Sequence, residues 1–205
     1  MPIKVLMVDV DGVVVTSPEP HGWSTHLERD LGLAPSRLQE AFFAAHFDDI
    51  VHGRAALRDR LTPVLAEIAP HLQTETLIAY WFEQDAHLDL GLLAQIDSLR
   101  ATGLKAHLAT VQEHERADYL WTRLGLKHHF DAIHYAADLG WAKPADEFFN
   151  TVVTRCGFAP EELFFIDDKV ANVDAAKALG WNAAVWTGEQ TVEALMKQAR
   201  VGPNR

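Results

Sequence analysis

Two carboxylates interrupt an apolar run near the N-terminus, Val5-Leu6-Met7-Val8-Asp9-Val10-Asp11-Gly12-Val13-Val14-Val15. Burying two acids together is costly unless a cation or a catalytic task accounts for them. A second acidic pair ends another apolar run, Phe164-Phe165-Ile166-Asp167-Asp168. Between the pairs lie Leu108-Ala109-Thr110, an apolar run ending in a hydroxyl, and Lys143-Pro144, a lysine held in a turn. Asp, Asp, Thr, Lys, Asp and Asp, in that order, fit one reaction. One acid attacks phosphorus, a second moves a proton, Lys and Thr bind phosphoryl oxygens, and the remaining acids hold a divalent cation.

Such residues need strand ends to hold them. The first run is apolar enough to read as a buried strand of a parallel sheet. Asp9 and Asp11, two apart, then point to the same side of an extended chain, and Gly12 ends the strand with a backbone free to turn sharply. In open α/β sheets, ligands bind outside the carboxyl ends of the strands. From about residue 17 to 88 the pattern is helical, with no convincing strand. Ser36-Arg37-Leu38-Gln39 has the spacing of a capping box, and Pro63 marks a break or a first turn. After Asp89 helix and strand alternate. Helices are expected at Leu92–Arg100, Glu115–Leu124, Asp146–Cys156 and Ala171–Leu179. The strands expected between and after them are Leu104–Thr110, Ala132–Tyr135, Leu163–Ile166 and Ala183–Trp186. This predicts an α/β protein, a Rossmann-like parallel sheet with helices on both faces, into which the helical block is inserted. The crossings at Ser17–His21 and Asp85–Asp89 would be its hinge.

The pieces Asp9-Val10-Asp11-Gly12-Val13, Thr110, Lys143-Pro144 and Asp167-Asp168-Lys169-Val170-Ala171-Asn172 carry a resemblance. In order and spacing the chain resembles the haloacid dehalogenase (HAD) superfamily of phosphohydrolases over nearly its whole length. Tyr135 to Pro144 also looks like the third motif of sugar-phosphate phosphatases in that superfamily. The resemblance implies a core domain over 1–16 and 89–205, with a small α-helical cap domain over 17–88. It implies Asp9 as nucleophile and Asp11 as general acid/base. Thr110 and Lys143 would bind the substrate phosphate. Mg2+ would be held by Asp9, Asp11 (through its backbone carbonyl), Asp168 and Asp167, with Asp168 the direct ligand and Asn172 orienting. Val111 stands where many relatives carry Asn. Substrate choice would lie in the cap, with His21, Trp23, Arg54 and Trp81 as candidates.

Composition narrows the partners. A chain of 205 residues can bury one good core plus a modest insertion. A formal net charge of −11 argues against a general nucleic-acid or anionic-membrane binder. Cys156 is the only cysteine, so no internal disulfide forms, which suits a reducing cytoplasm. No run is long and apolar enough to span a bilayer, and the N-terminus lacks the pattern of a signal peptide. The 11 histidines form no metal-ligand pattern, so His107 and His128-His129 read as structural or surface residues. The expectation is a cytoplasmic, magnesium-dependent phosphatase acting on a small phosphorylated metabolite, a sugar phosphate or phosphoglycolate-like ester. It would be a monomer or homodimer with no nucleic-acid or membrane partner. The alternatives are a phosphomutase, a 2-haloacid dehalogenase (disfavoured by Asp11), or a ligand-binding or interaction protein that has lost turnover.

Overall fold

Val5, Leu6, Met7 and Val8 are all fully buried, so the strand they form, β1 (Val5–Val8), has no solvent face and needs cover on both sides. The computed structural model describes residues 2–19 and 22–201. After β1 comes a two-residue strand, β2 (Val15–Thr16), and then a run of helices: α1 (Leu27–Leu31), α2 (Pro35–Leu38), α3 (Ala44–Val51), α4 (Leu57–Ile68) and α5 (Thr74–Gln84). The chain returns through β3 (His87–Leu88) and then alternates: α6 (Leu90–Ala101), β4 (Lys105–Thr110), α7 (His114–Asp118), β5 (Ala132–Tyr135) and α8 (Ala136–Leu139). It closes with α9 (Asp146–Cys156), β6 (Leu163–Asp167), α10 (Val170–Ala178), β7 (Asn182–Val185) and α11 (Val192–Val201).

Five strands make one parallel sheet in the order β5-β4-β1-β6-β7. Alternate residues of β1 serve opposite faces. Leu6 and Val8 pack with Leu92, Ile96 and Phe130, whereas Val5 and Met7 pack with Phe149, Val152 and Trp181. The register places Val8 beside both Leu108 and Ile166. Asp9, Thr110 and Asp167 therefore emerge at the same, carboxyl end of the three central strands. Helices α1–α5 bury a separate apolar cluster of their own, centred on Leu38, Phe42, Leu61, Leu77 and Trp81.

The structure departs from the sequence reading at four points. The first strand stops at Val8 rather than running on to Gly12. Val13, Val14 and Val15 all donate their N–H groups to the Val10 carbonyl, which wraps residues 10–15 into a tight loop. A short antiparallel pair, β2 with β3, joins the segments that enter and leave the helical block, where no strand was expected. These segments run side by side, so their backbone groups satisfy one another. Ser36 does not cap a helix: Ala34 is the N-cap and Pro35, with its φ already helical, takes the first helical position. Pro63 lies inside α4 without ending it. It is exposed, as is Asp59 one turn earlier, so water reaches the carbonyl that Pro63 leaves unpaired. Among the described residues, no helix is long and apolar enough to cross a membrane.

One buried pair of bases should weaken this fold in acid. His107 on β4 and His134 on β5 share a hydrogen bond, Nδ1 to Nε2, at 3.2 Å. Burial lowers both, and takes His134 down to about 4 from 6.5, with His107 and Arg155 adding to the effect and Asp138 opposing it. Asp131 and Lys105 face His107. A base with a depressed folded pKa contributes stability that is present above its unfolded pKa and is lost as pH falls through the folded one. Between pH 6.5 and 4, His134 should cost about 3 kcal/mol of stability. The variant His134→Gln, which keeps a polar partner but cannot charge, should show a shallower loss of urea midpoint over that range. An unchanged pH slope contradicts this.

Candidate active site

Asp9 follows β1 directly and is 3% exposed. Its Oδ1 accepts the Val10 N–H at 2.7 Å and the Lys143 ammonium at 2.8 Å. Lys143, carried on the loop before α9 and followed by Pro144, also reaches Asp167 Oδ2 at 2.6 Å, with its ammonium 5.1 Å from the centre of the Phe165 ring. One buried cation thus bridges two buried acids. Burial pushes the Asp9 carboxyl above the usual carboxylate range, Asp167 adds to that, and Lys143 opposes it. Asp167 is buried as well. Lys143, the Lys169 N–H and the Asn172 amide, which donates to both of its oxygens, more than offset that burial and hold it below the ordinary value.

Asp168 is placed differently. It is exposed, and among the described residues its carboxylate has no hydrogen bond or ion pair. It lies against Gly12, where an added Cβ would meet Asp168 Oδ2 at 2.6 Å, and Gly12 has a φ of +80°. The positive φ favours glycine there. Carboxylate oxygens of Asp9, Asp167 and Asp168 lie within 4.8 Å of one another, and this is the one such group of metal-ligating side chains among the described residues. Three acids against one ammonium leave an excess of negative charge, and hard oxygen donors of this kind fit magnesium.

Asp11, half-buried, sits on the same loop, and burial raises its carboxyl while Arg116 opposes the shift. The Gln112 amide donates to Asp11 Oδ2 at 2.7 Å and to Thr110 Oγ1 at 3.3 Å, so it joins the two. Thr110 is fully buried at the end of β4. A cavity of about 570 Å³ opens here, lined by Asp9, Asp11, Lys143, Lys169 and Asn172 with Val111 and Val170. A larger one of about 780 Å³ lies at the opposite end of the sheet, by Lys4 and Lys105, and none of the expected site residues lines it.

Of the four residues expected to read substrate, the three that are described, Trp23, Arg54 and Trp81, do not line this cavity. His21 lies outside the described residues. Trp23 stacks on Trp81 with ring centres 5.3 Å apart, and Trp81 is part of the apolar cluster of the helical block. The exposed Arg54 is paired with Asp48 and Asp49. Gly53 beside it does touch the sheet side: a Cβ there would meet the Ala137 carbonyl oxygen at 2.3 Å. Two further residues tie the block to the carboxyl end. Arg58 pairs with Glu115 at 2.9 Å, and the fully buried Arg116 of α7 donates to the carbonyls of Phe82 and Asp85 at the end of α5. Gln112 and Arg116 were not singled out in the sequence. The only available signal was that both follow Thr110 closely, at a strand end already marked as functional.

The sequence profile described as haloacid dehalogenase-like hydrolase matches residues 71–186. D-ribitol-5-phosphate phosphatase of Bacteroides thetaiotaomicron is 24% identical, with 93% of this chain and 98% of that protein covered. Glyceraldehyde 3-phosphate phosphatase of Methanocaldococcus jannaschii is 28% identical, over 67% of this chain and 58% of that protein. Among solved structures, a haloacid dehalogenase family enzyme of Bacteroides thetaiotaomicron in complex with magnesium and inorganic phosphate superposes with a TM-score of 0.77. It is 18% identical, with 94% and 98% of the two chains covered.

Proposed function

Because the chain belongs to the haloacid dehalogenase-like hydrolases, we propose that it is a magnesium-dependent phosphatase that hydrolyses phosphoric monoesters through an aspartyl-phosphate on Asp9. The observation that carries this reading is the cluster of Asp9, Asp167 and Asp168, with buried Lys143 bridging the first two, beside a cavity lined by Asp9, Asp11 and Lys143.

In this reading Asp9 attacks phosphorus with Oδ2, because Oδ1 is held by Val10 and Lys143. The bond from Oδ2 to phosphorus forms as the ester bond breaks, and Asp11 gives its proton to the departing oxygen. Asp11 then takes a proton from water, whose oxygen displaces Asp9 and releases phosphate. Thr110 donates its hydroxyl to a phosphoryl oxygen, and Lys143 neutralises phosphate charge while fixing Asp9. Asp9, Asp168 and the Asp11 carbonyl would hold magnesium, with Asp167 acting on the set through Lys143 and Asn172. When bound, magnesium offsets the repulsion between the attacking carboxylate and the phosphate dianion. Residues 17–88 act as a cap over the carboxyl end of the sheet, hinged where β2 and β3 lie. The preferred substrates are sugar phosphates or phosphoglycolate-like esters, and the names of the relatives support the first of these.

A test needs only p-nitrophenyl phosphate. Hydrolysis should require magnesium, vanish in excess chelator and return when magnesium is restored. A panel of phosphorylated metabolites then ranks the substrates. Full activity in excess chelator overturns the reading.

A further inference from the structure

We infer that Gln112 is a positioning residue that fixes which oxygen of Asp11 carries the transferable proton. The inference rests on Asp11 being the general acid. The Gln112 amide nitrogen has two N–H groups, and it spends one on Asp11 Oδ2 at 2.7 Å and one on Thr110 Oγ1 at 3.3 Å. An N–H can only donate, and the carbonyl oxygen of a carboxylic acid accepts better than its hydroxyl oxygen. In the acid form the bond from Gln112 therefore favours the proton on Oδ1. Among the described residues the Asp11 carboxyl has no other hydrogen bond, so no second hydrogen bond selects between the two oxygens.

The amide is well placed to impose this choice. Gln112 is 6% exposed, so water competes little for its N–H groups. Its backbone is held from both sides. The Ala137 N–H donates to the Gln112 carbonyl at 3.1 Å, and Glu113, the next residue, caps α7 by accepting the N–H groups of Glu115 and Arg116. Arg116 in turn lies against the Phe82 and Tyr119 rings and bonds the Phe82 carbonyl at 2.9 Å. Asp11 is half-buried on its loop, and among the described residues the amide is the one hydrogen-bond partner of its carboxyl.

Proton donation matters most when the leaving group is poor. Phenyl phosphate and p-nitrophenyl phosphate have nearly the same shape, and phenol is the poorer leaving group. The variant Gln112→Met keeps the length and removes the donor. Its kcat/KM should fall about tenfold more for phenyl phosphate than for p-nitrophenyl phosphate, given that general acids contribute about 10²–10⁴-fold. Gln112→Asn, one methylene short, should behave alike. Inhibition by inorganic phosphate should stay within about threefold of the parent, which reports an intact phosphate site, whereas general acid catalysis is the larger effect. Asp11→Asn, measured in parallel, should show the same split between esters, and more strongly. If Asp11→Asn affects both esters equally, the acid assignment fails and this inference with it. If Asp11→Asn shows the split and both Gln112 variants lack it, the Gln112 inference alone is overturned. An equal fall for both esters with weakened phosphate inhibition would place Gln112 in support of Thr110 instead, and also overturns it.

Discussion

Asp9→Asn should lower kcat by about 10⁴-fold or more, which corresponds to ~5.5 kcal/mol of transition-state stabilisation. The amide has the shape of the carboxylate, and its oxygen still accepts from the Val10 N–H and the Lys143 ammonium, so the local structure should persist. It lacks the charge and the nucleophilicity to attack phosphorus. Inhibition by inorganic phosphate should survive in large part, because Thr110 and Lys143 are untouched. Steady-state assays of kcat with p-nitrophenyl phosphate, with the phosphate inhibition constant read alongside, check both halves. Near-normal hydrolysis would mean that another group is the nucleophile.

The second large effect concerns the metal. Asp168→Ala should raise the magnesium needed for half-maximal activity by about 100-fold or more, since losing even an indirect partner of a metal ligand costs 10–100-fold. The two neighbouring acids differ in how they are engaged. Both oxygens of Asp167 are taken by Lys143, Asn172 and the Lys169 N–H, while Asp168 offers a free carboxylate beside Gly12. Asp167→Asn should therefore act mainly through the placement of Lys143 and lower kcat more than magnesium affinity. There is a corollary for stability. Without metal, Asp168 only adds repulsion to a cluster short of cations, so the metal-free Asp168→Ala protein should melt no lower than its parent. Magnesium titrations of activity and metal-free melting curves decide this. An unchanged magnesium dependence in Asp168→Ala contradicts the assignment.

What the sequence revealed and what it hid have physical causes. Buried parallel strands are runs of apolar residues, so β1, β4 and β6 announce themselves, and the polar residues that end them stand out. Val10 misled for the same reason. It is as fully buried in the loop as it would be in a strand, so burial alone did not mark where the strand ends. Pro63 read as a break or a first turn because the pattern does not show that its face is wet. Strands β2 and β3 are two residues each, too short for any period to register. Gln112 escaped because one amide at a strand end has no pattern, and its meaning depends on Asp11, 101 residues away in the chain. Trp23 and Trp81 have the residue type of a substrate platform, yet they stack on each other inside the helical block.

The central claim is that phosphate passes through Asp9. The direct measurement mixes the protein and magnesium with radiolabelled p-nitrophenyl phosphate and quenches in acid at short times. It is best done in the Asp11→Asn variant, where the water-activating base is missing and the intermediate should persist. The account predicts label bound to protein at Asp9, released by hydroxylamine as an acyl phosphate is, and absent when Asp9→Asn is added. Hydrolysis with no protein-bound label in either background, or label that hydroxylamine leaves in place, would contradict it.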